Sequence, residues 1–553
     1  MLAITPRAKG FHKEIDSIAP DKSISHRTAM FALLAKAPSV VRNYLLAQDT
    51  LHTLAIARKL GLKVEELGDK GSFIFTPPSK IMEPDCVLDC GNAGTAMRLY
   101  TGLLSAQKGY FVLSGDKYLH ARPMNRVVKP LQSVGAQIYS RNGGYAPLSV
   151  IGAELQGFSF TSEIASAQVK SALILAALFA KDSSVYSERE HTRDHTEKML
   201  SGMGAEITRD STQALSTLSI SPLESKLKPL DITIPADPSS AFFFALAAAI
   251  VPESSVLLKN VLLNPTRIEA FKVLESMGAI VEYRRTECAY EEVGDIYVES
   301  APLKAVSVSE NISWLIDELP ALAIAFCFAS GRSEVSNAKE LRVKECDRIH
   351  AIVSNLKALG ITCEEREDGF VIEGLGDTLF EKTAQKSPKV DSSNMPMFAT
   401  AKNVDCHATA GAVSRNDRES SPCEKVDSRD NAENLKTPQD EKTKSVFDNH
   451  AAGGRIFDEK AELCSGEQGD KTWVSIDAAS HKLSAFSRKA NATSEKVDSS
   501  GVLHSFGDHR IAMSFAIMGV RLGAVIDDEK CISVSFPNFL DILREMTEVR
   551  LLD

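Results

Sequence analysis

Five glycines recur along the chain at nearly constant intervals, each where an amphipathic stretch gives way to a strand-like one. They are Gly61, Gly135, Gly204, Gly278 and Gly360, separated by 74, 69, 74 and 82 residues. A glycine directly after a helical pattern is typical of a left-handed helix C-cap. The spacing therefore predicts a repeated unit of roughly 70–80 residues that contains two helices and several strands.

A second pattern, a polar or glycine-rich motif before an apolar run, occurs six times. Three of the runs, at 171–180, 241–251 and 321–329, are apolar on every face. Because a helix that is apolar all round is buried on all sides, we expect helices surrounded by sheets of mixed parallel and antiparallel pairing. Six such units predict an α/β protein of two domains, each built from three repeated βαβαββ-type units whose buried helices are wrapped by sheet.

One segment, residues 377–501, departs from this plan. The sequence Lys-Val-Asp-Ser begins at 389, 425 and 496, and with a degenerate copy at 460 the intervals are 36, 35 and 36 residues. A fixed period is also typical of solenoid repeats, but the few dispersed aromatic residues would not form a core. We therefore predict a low-complexity, disordered insertion within the sixth unit.

Composition limits the classes of function. The chain has 553 residues, of which 44% are hydrophobic and 25% charged, as in ordinary globular proteins. A net charge of −10 argues against a nucleic acid or an anionic membrane as partner. The ten cysteines include no CxxC pair, which fits reduced thiols better than disulfides or zinc. With no signal-peptide pattern and no apolar run near the roughly 18 residues of a membrane helix, we expect a cytoplasmic protein.

The polar motifs place cations and carboxylates at predicted helix starts. A helix start offers free N–H groups and about half a positive charge, so added Lys or Arg side chains create an anion site. The densest motif, at 340–348, contains Lys344 and Arg348 beside Glu345, a candidate proton carrier. Each motif alone has an ordinary interpretation, such as an N-cap for Asp317. If all six face one space, however, they suit a substrate pair carrying phosphate and carboxylate.

These motifs resemble those of the EPSP (5-enolpyruvylshikimate-3-phosphate) synthase family, and they occur in the family's order. They begin at Asp21 (Asp-Lys-Ser-Ile-Ser-His-Arg), Gly91 (Gly-Asn-Ala-Gly-Thr-Ala-Met-Arg), Ser166 (Ser-Ala-Gln-Val-Lys), Leu341 (Leu-Arg-Val-Lys-Glu-Cys-Asp-Arg) and Gly507 (Gly-Asp-His-Arg-Ile-Ala-Met). The resemblance implies the two-domain enolpyruvyl transferase fold. The first domain would comprise 1–18, 233–376 and 502–553, and the second would comprise 19–232.

The resemblance also implies an activity in the shikimate pathway of aromatic amino acid biosynthesis. The enolpyruvyl group of phosphoenolpyruvate would be transferred to the 5-hydroxyl of shikimate 3-phosphate, with release of phosphate. No metal or organic cofactor is implied, and we expect a monomer that binds these small molecules and neither nucleic acid nor membrane.

Residue roles follow from the same resemblance. Asp317, Glu345 and Lys22 would be catalytic: Asp317 would accept the hydroxyl proton, and Glu345, with Lys22, would protonate the methylene carbon. The residues implied for shikimate 3-phosphate are Lys22, Ser23, Arg27, Ser166, Ala167, Gln168, Arg193, Asp317 and Lys344. Those implied for phosphoenolpyruvate are Lys22, Gly94, Arg122, Gln168, Arg348 and Arg510.

The chain departs from the family pattern at three positions. Leu99 follows Arg98 where part of the family has a proline, and the other two positions are on the substrate side. Val534 stands where many members have a lysine, and Ala167 replaces a frequent serine. Each of these last two changes removes one expected polar contact with a substrate. None of the three removes the implied acid or base.

Two other functions remain open. UDP-sugar enolpyruvyl transferases share the fold, but that family has Lys-Asn where this chain has Lys22 and Ser23, and it uses a loop cysteine that is missing around Arg122. An inactive scaffold or binding protein of the same fold is the second alternative. The retained Asp317 and Glu345 favour an enzyme, because such dense charge is costly to maintain without a ligand.

Overall fold

The computed structural model of the chain describes residues 1–210, 215–288, 290–376 and 502–552, and the predicted insertion at 377–501 lies outside them. All described residues belong to one compact body. The α-helices are α1 Lys22–Phe31, α2 Gln48–Lys59, α3 Gly94–Ser105, α4 Lys117–His120, α5 Asn125–Ser133, α6 Ala167–Ala177, α7 His195–Gly202, α8 Pro238–Ile250, α9 Glu269–Ser276, α10 Ile312–Leu315, α11 Leu319–Cys327, α12 Arg348–Ala358, α13 His509–Leu522 and α14 Phe539–Met546. Short 3-10 helices lie at Ala32–Leu34, Lys339–Val343 and Ile532–Val534.

The strands are short and fall between these helices. They are β1 Leu2–Ile4, β2 His12–Ile15, β3 Ser39–Arg42, β4 Lys63–Glu66, β5 Phe73–Thr76, β6 Leu88–Asp89, β7 Tyr110–Ser114, β8 Gln137–Arg141, β9 Tyr145–Ile151, β10 Ser159–Ser162, β11 Ser184–Glu188, β12 Ile207–Asp210, β13 Ser216–Ile220, β14 Asp231–Thr233, β15 Ser255–Leu262, β16 Ile280–Cys288, β17 Glu292–Glu299, β18 Ser307–Val308, β19 Arg332–Val335, β20 Cys363–Arg366, β21 Gly369–Glu373, β22 Ala524–Ile526 and β23 Val549–Leu551.

The first helix of each repeated unit is the buried one, as the apolar runs predict. Every residue of α8 and of α11 is buried, and α6 is buried from Val169 to Ala177. The helices begin about one turn earlier than the apolar runs do. Lys22 and Gly94, predicted to lie in turns before their helices, are the first residues of α1 and α3. The apolar pattern begins late in α1, α6 and α8 because their first turns contain polar side chains.

Five four-stranded sheets share one plan in the part of the chain that the structure describes. Two strands run parallel, the second pairs antiparallel with a third, and the third pairs antiparallel with a fourth. The sheet orders are β10-β11-β13-β12, β14-β3-β5-β4, β2-β15-β17-β16, β18-β19-β21-β20 and β6-β7-β9-β8. The predicted mixture of parallel and antiparallel pairing is therefore observed in each of these units.

The sixth sheet is completed by the start of the chain. Its order is β22-β1-β23, all antiparallel, and Leu503 forms a parallel bridge with Ile526 on the outer side of β22. Strand β1 thus takes the third position, which in the other units is filled from within the unit. Nothing in the repeat pattern indicated this pairing, because β1 lies about 500 residues from its neighbours in the sequence.

The buried apolar side chains form two cores. One core is formed by residues from 2–19, 236–372 and 503–546, together with Leu45 and Ala47. The other is formed by residues from 24–234, together with Leu262. These limits support the domain boundaries predicted from the sequence, which stay a prediction. No described helix is both long enough and apolar enough to span a bilayer.

Candidate active site

The first two turns of α1 carry three of the predicted site residues, Lys22, Ser23 and Arg27. Asp21 caps the helix by accepting a hydrogen bond from the Ile24 backbone N–H at 2.7 Å. Lys22 follows and pairs with Asp49 at 2.5 Å. Arg27 lies one turn further and is buried, with Nε donating to Thr196 Oγ1 at 2.8 Å. Helix α1 therefore holds an ammonium group and a guanidinium group in its first two turns, each fixed by its own partner.

The guanidinium groups of Arg98 and Arg122 lie near the start of α3. A Cβ atom built on Gly94 would lie 3.0 Å from Arg98 Nη1 and 3.5 Å from Arg122 Nη1. Gln168, in the first turn of α6, accepts from Arg98 Nη1 at 2.5 Å and donates to Thr95 Oγ1 at 3.0 Å. Backbone N–H groups, an amide and two guanidinium groups thus converge, which is the chemistry of an oxyanion site.

Arg348 connects the two carboxylates predicted to be catalytic. Its side chain is fully buried, with Nη2 at 2.8 Å from Glu345 Oε2 and Nη1 at 3.5 Å from Asp317 Oδ1. Its Nε donates to Asp508 Oδ2 at 2.8 Å. Asp508 in turn caps α13 by accepting from the Arg510 backbone N–H at 2.8 Å. One guanidinium group therefore sets the separation and orientation of both carboxylates.

Residues that belong to the two cores meet across this site. Arg193, beside α7, pairs with Asp317 through Nη1 and Oδ2 at 2.8 Å. Arg122 Nη2 lies 3.5 Å from Glu345 Oε1. Arg126 and Glu340 form a further pair at 3.2 Å. The predicted acid and base each contact a cation that is carried by the opposite half of the molecule.

The cations hold both carboxylates in the ionised form. Burial acts to raise the pKa of Asp317, but Arg193, Lys344, Arg510 and Arg348 together keep it well below its usual value. Burial likewise acts to raise the pKa of Glu345, and Arg348 outweighs it, so that this pKa is also lowered. Asp317 is thus unprotonated, as a base must be before it acts, whereas Glu345 must first gain a proton before it can donate one.

At three neighbouring groups, burial instead favours the uncharged form. Burial lowers the pKa of His509 to about 4, so its imidazole is neutral near pH 7. It lies close enough to Lys22 and Glu345 to feel both charges. Burial raises the pKa of Glu318, the residue after Asp317. Burial also lowers the pKa of Lys344. A low-polarity site of this kind strengthens each remaining charge interaction.

Comparisons with known proteins identify the family. The family model described as EPSP synthase (3-phosphoshikimate 1-carboxyvinyltransferase) matches residues 8–393 and 482–543. The chain is 47% identical over 548 residues to the 3-phosphoshikimate 1-carboxyvinyltransferase of Wolinella succinogenes, which covers 99% of this chain and 97% of that protein. The protein of the same name from Campylobacter curvus is 44% identical over 534 residues, with 96% of each chain covered. The chain belongs to the EPSP synthase family.

Solved structures of the family agree. EPSP synthase from Acinetobacter baumannii superposes with a TM-score of 0.69 at 30% identity, covering 100% of this chain and 99% of that one. The predicted two-domain enolpyruvyl transferase fold and the predicted enzyme class, a 3-phosphoshikimate 1-carboxyvinyltransferase of the shikimate pathway, are thereby confirmed. The family model leaves 394–481 unmatched, a stretch that lies inside the predicted insertion.

The remaining residues that the EPSP synthase resemblance selects lie at the edges of this site. Ser23 is in the first turn of α1, where its backbone carbonyl accepts from Arg27 at 3.1 Å. Ser166 is the N-cap residue of α6 and Ala167 is its first residue. Arg510 lies over the Phe243 ring at 6.0 Å, in the first turn of α13. Their roles in substrate binding stay predictions.

Two site residues were missed by sequence reasoning. Asp49, in the first turn of α2, pairs with Lys22, yet nothing in its local sequence indicated that contact. Asp508 stands within the Gly507 motif, so the motif could have suggested it, but its link to Arg348 joins residues 160 positions apart. Val534, at the family's lysine position, is a half-buried apolar side chain at the end of a 3-10 helix and offers no charge.

The described residues contain no group of three or more His, Cys, Asp or Glu side chains arranged to hold a metal ion. The cysteines at 86, 90, 327, 346, 363 and 531 are free thiols. Cys346 is next to Glu345, where burial and Asp508 raise the pKa of its thiol. It is therefore protonated at neutral pH and a poor nucleophile.

Proposed function

We propose that the cations of this site bind phosphoenolpyruvate and shikimate 3-phosphate together, with Asp317 and Glu345 on either side of the reacting atoms. The observation that carries the proposal is the contact of both carboxylates with one buried guanidinium group, Arg348. The surrounding cations come from both cores, so a doubly charged anion between them would be held from two sides. Guanidinium groups match phosphate and carboxylate geometry.

In this proposal phosphoenolpyruvate lies near the start of α3. The position beside Gly94 is bounded by Arg98 and Arg122, and Gln168 accepts a hydrogen bond from Arg98. The residues assigned to this substrate are Lys22, Gly94, Arg122, Gln168, Arg348 and Arg510. Lys22 lies between the two substrates, since its helix start adjoins both groups of residues.

Shikimate 3-phosphate would lie between α1, α6 and Asp317. Arg27 is held rigidly by Thr196 and by Ser171, whose Oγ accepts from Arg27 Nη2 at 3.1 Å. The residues assigned to this substrate are Lys22, Ser23, Arg27, Ser166, Ala167, Gln168, Arg193, Asp317 and Lys344. Arg193 pairs with Asp317 in this structure, and a substrate phosphate that attracts Arg193 would free the carboxylate.

The proposed reaction has two steps. Asp317 accepts the proton of the 5-hydroxyl while the hydroxyl oxygen bonds to the central carbon of phosphoenolpyruvate. Glu345, which takes up a proton from solvent when the substrates bind, protonates the methylene carbon to a methyl group with the help of Lys22. A tetrahedral adduct results. In the second step the carbon–oxygen bond to phosphate breaks, phosphate leaves, and Glu345 takes back a methyl proton to restore the double bond. The cations stabilise the developing negative charge in both steps.

We also propose that the enzyme is a cytoplasmic monomer that requires no nucleic acid or membrane. Support comes from the net charge of −10, which does not favour a nucleic acid or an anionic membrane as partner. Size measurement by light scattering at enzyme concentrations used for assay tests the monomer.

The function is tested by phosphate release from purified protein supplied with both substrates. Asp317→Asn and Glu345→Gln are each expected to lower kcat at least about a hundredfold with a much smaller change in KM, since a lost acid or base contributes roughly 10²–10⁴ in rate. The matched control is Glu364→Gln, which removes an exposed carboxylate of β20 whose ion-pair partners, Arg332 and Arg366, are not predicted site residues. No release with either substrate still bound would favour the scaffold, and release only with a UDP-sugar would favour the related transferase.

A further inference from the structure

A buried guanidinium group lies where the chain passes between the two cores. Arg267 is only 3% exposed. The chain passes between the cores near Asp21 and again near Asp237, and the two passages are paired. Asp21 N donates to Pro235 O at 2.8 Å and Asp237 N donates to Ala19 O at 2.9 Å. Arg267 thus occupies the one place in the described residues where both passages run side by side.

Arg267 binds the capping aspartate of one helix from each passage. Its Nη1 donates to Asp21 Oδ2 at 2.7 Å, and its Nη2 donates to Asp237 Oδ1 at 2.7 Å. Asp21 caps α1, and Asp237 caps α8 by accepting from the Ser239 backbone N–H at 2.9 Å. Two buried carboxylates in such proximity require a shared cation, and the guanidinium fork meets each with a separate nitrogen.

The same guanidinium group also reaches α7. Its Nη1 lies 3.2 Å from Nε2 of His195, the first residue of that helix. His195 Nδ1 is 2.6 Å from Glu291 Oε1. Because Arg267 has only donors, Nε2 must accept, and Nδ1–H then donates to Glu291. The start of α7 is therefore oriented from Arg267 as well, two residues after Arg193.

We propose that Arg267 is a positioning residue of the transferase reaction, which directs the start of α1 from the opposite core and so places Lys22 and Ser23 against the anionic substrate. The inference rests on the proposed roles of those two residues. Arg267 itself does not touch the substrate in this proposal. Its action passes through Asp21, whose peptide bond leads directly into Lys22.

The two aspartates provide a matched pair of variants. Asn at either position keeps an acceptor oxygen for the helix cap but removes the charge that faces Arg267. Both links measure 2.7 Å and both aspartates are buried. Of the two helices that these aspartates cap, α1 carries predicted substrate-binding residues and α8 carries none. A purely structural role would therefore affect both variants alike.

The experiment measures thermal unfolding, steady-state kinetics and the Kd of shikimate 3-phosphate by calorimetry for Asp21→Asn, Asp237→Asn and Arg267→Lys in the full chain. Similar losses of thermal stability are expected in the two Asn variants. Asp21→Asn should weaken binding and lower kcat/KM by about 10- to 100-fold, as misplacement by roughly 1 Å does elsewhere, whereas Asp237→Asn should stay within about twofold of the unaltered protein. Arg267→Lys keeps the positive charge but lacks the two guanidinium nitrogens that bind the two aspartates separately. It should resemble Asp21→Asn.

Equal kinetic losses in the two Asn variants, or unchanged kinetics in both Asp21→Asn and Arg267→Lys, would overturn the inference. If Asp21→Asn does not fold, the comparison of Arg267→Lys with Asp237→Asn decides in the same way. Lys22→Met separates this inference from the proposed function. Unchanged binding of shikimate 3-phosphate to Lys22→Met would remove the role of Lys22 and this inference with it, while phosphate release by the unaltered protein would still uphold the enzyme activity.

Discussion

At the scale of single residues, the site is a set of cations that already have anionic partners within the protein. Lys22 contacts Asp49, Arg193 contacts Asp317, and Arg122 approaches Glu345. A substrate phosphate or carboxylate must compete with these carboxylates. Binding therefore exchanges one anion for another around each cation, and the protonation of Glu345 responds to that exchange.

Substrate binding is expected to be accompanied by proton uptake at Glu345. Arg348 and Arg122 lower the pKa of this carboxyl in the free protein, and anions bound to them would weaken that effect and raise the pKa. A group whose pKa rises on binding takes up protons, so phosphoenolpyruvate should bind more tightly as the pH falls below neutrality. Calorimetry with Asp317→Asn, in two buffers of different ionisation enthalpy, measures the protons taken up.

The control for proton uptake is the same titration with the double variant Asp317→Asn, Glu345→Gln. Protonation of the substrate phosphate itself contributes equally to both titrations. The difference between them is therefore the contribution of Glu345. Identical uptake in the two proteins would contradict the assignment of Glu345 as the acid.

Gly94→Ala is expected to weaken the site for phosphoenolpyruvate alone. Gly94 has ordinary helical backbone angles, so alanine is not strained there, but the added methyl group would lie 3.0 Å from Arg98 Nη1 and 3.5 Å from Arg122 Nη1. The Arg98 guanidinium group must shift by a few tenths of an ångström, and the new methyl group comes into van der Waals contact with Arg122. We expect KM for phosphoenolpyruvate to rise about tenfold, with KM for shikimate 3-phosphate and the thermal midpoint nearly unchanged. Equal increases of both KM values would contradict this placement of Gly94.

At the scale of helices and strands, the repeated features, which are the glycine caps and the buried helices, could be predicted from the sequence. The start of each buried helix could not. The five recurring glycines all have positive φ, from 82° at Gly360 to 111° at Gly278, as expected of left-handed caps. The all-apolar runs are buried helices. The start of each buried helix was placed too late, however, because a polar first turn carries no hydrophobic signal.

Partners that are distant in the sequence could not be predicted in this way. Strand β1 completes the sixth sheet from the other end of the chain. Arg267 meets Asp21 across 246 positions. The motifs placed the cations at helix starts, but the carboxylates that balance them, such as Asp49 and Asp508, become recognisable only when the helices are packed.

The glycine caps differ in what surrounds them, and this difference gives a prediction at the scale of the element. Gly135 and Gly278 have similar φ values, 100° and 111°. A Cβ on Gly135 would meet its nearest neighbour at 3.7 Å, whereas one on Gly278 would lie 3.0 Å from the Pro302 carbonyl oxygen. Alanine at Gly135 should cost about 1–2 kcal/mol from φ alone, and alanine at Gly278 should cost more. Denaturant midpoints of the two variants make the comparison, and equal costs would show that the loop around Pro302 shifts freely.

At the scale of the whole molecule, the two cores are joined by charge. Ion pairs cross the site through Arg193 and Arg126, and the Trp314 indole N–H donates to the His191 carbonyl oxygen beside them. Arg267 joins the two passages of the chain at a second place. Contacts at both places make the position of one core depend on the other, so that ligands of the site also stabilise the folded protein.

The predicted insertion should contribute nothing to this arrangement. The residues that flank it are already hydrogen-bonded to the rest of the fold. Leu375 N donates to Cys327 O and Leu503 N donates to Val525 O, each at 2.8 Å. Replacing 378–500 by a Gly/Ser linker of about ten residues shortens a long loop, which should leave stability unchanged or increase it by about 2 kcal/mol. Thermal unfolding and phosphate release test this, with a scrambled insertion of the same length as the control. Loss of folding in both variants would mean that the 36-residue copies pack against the cores, because only an ordered sequence is sensitive to scrambling.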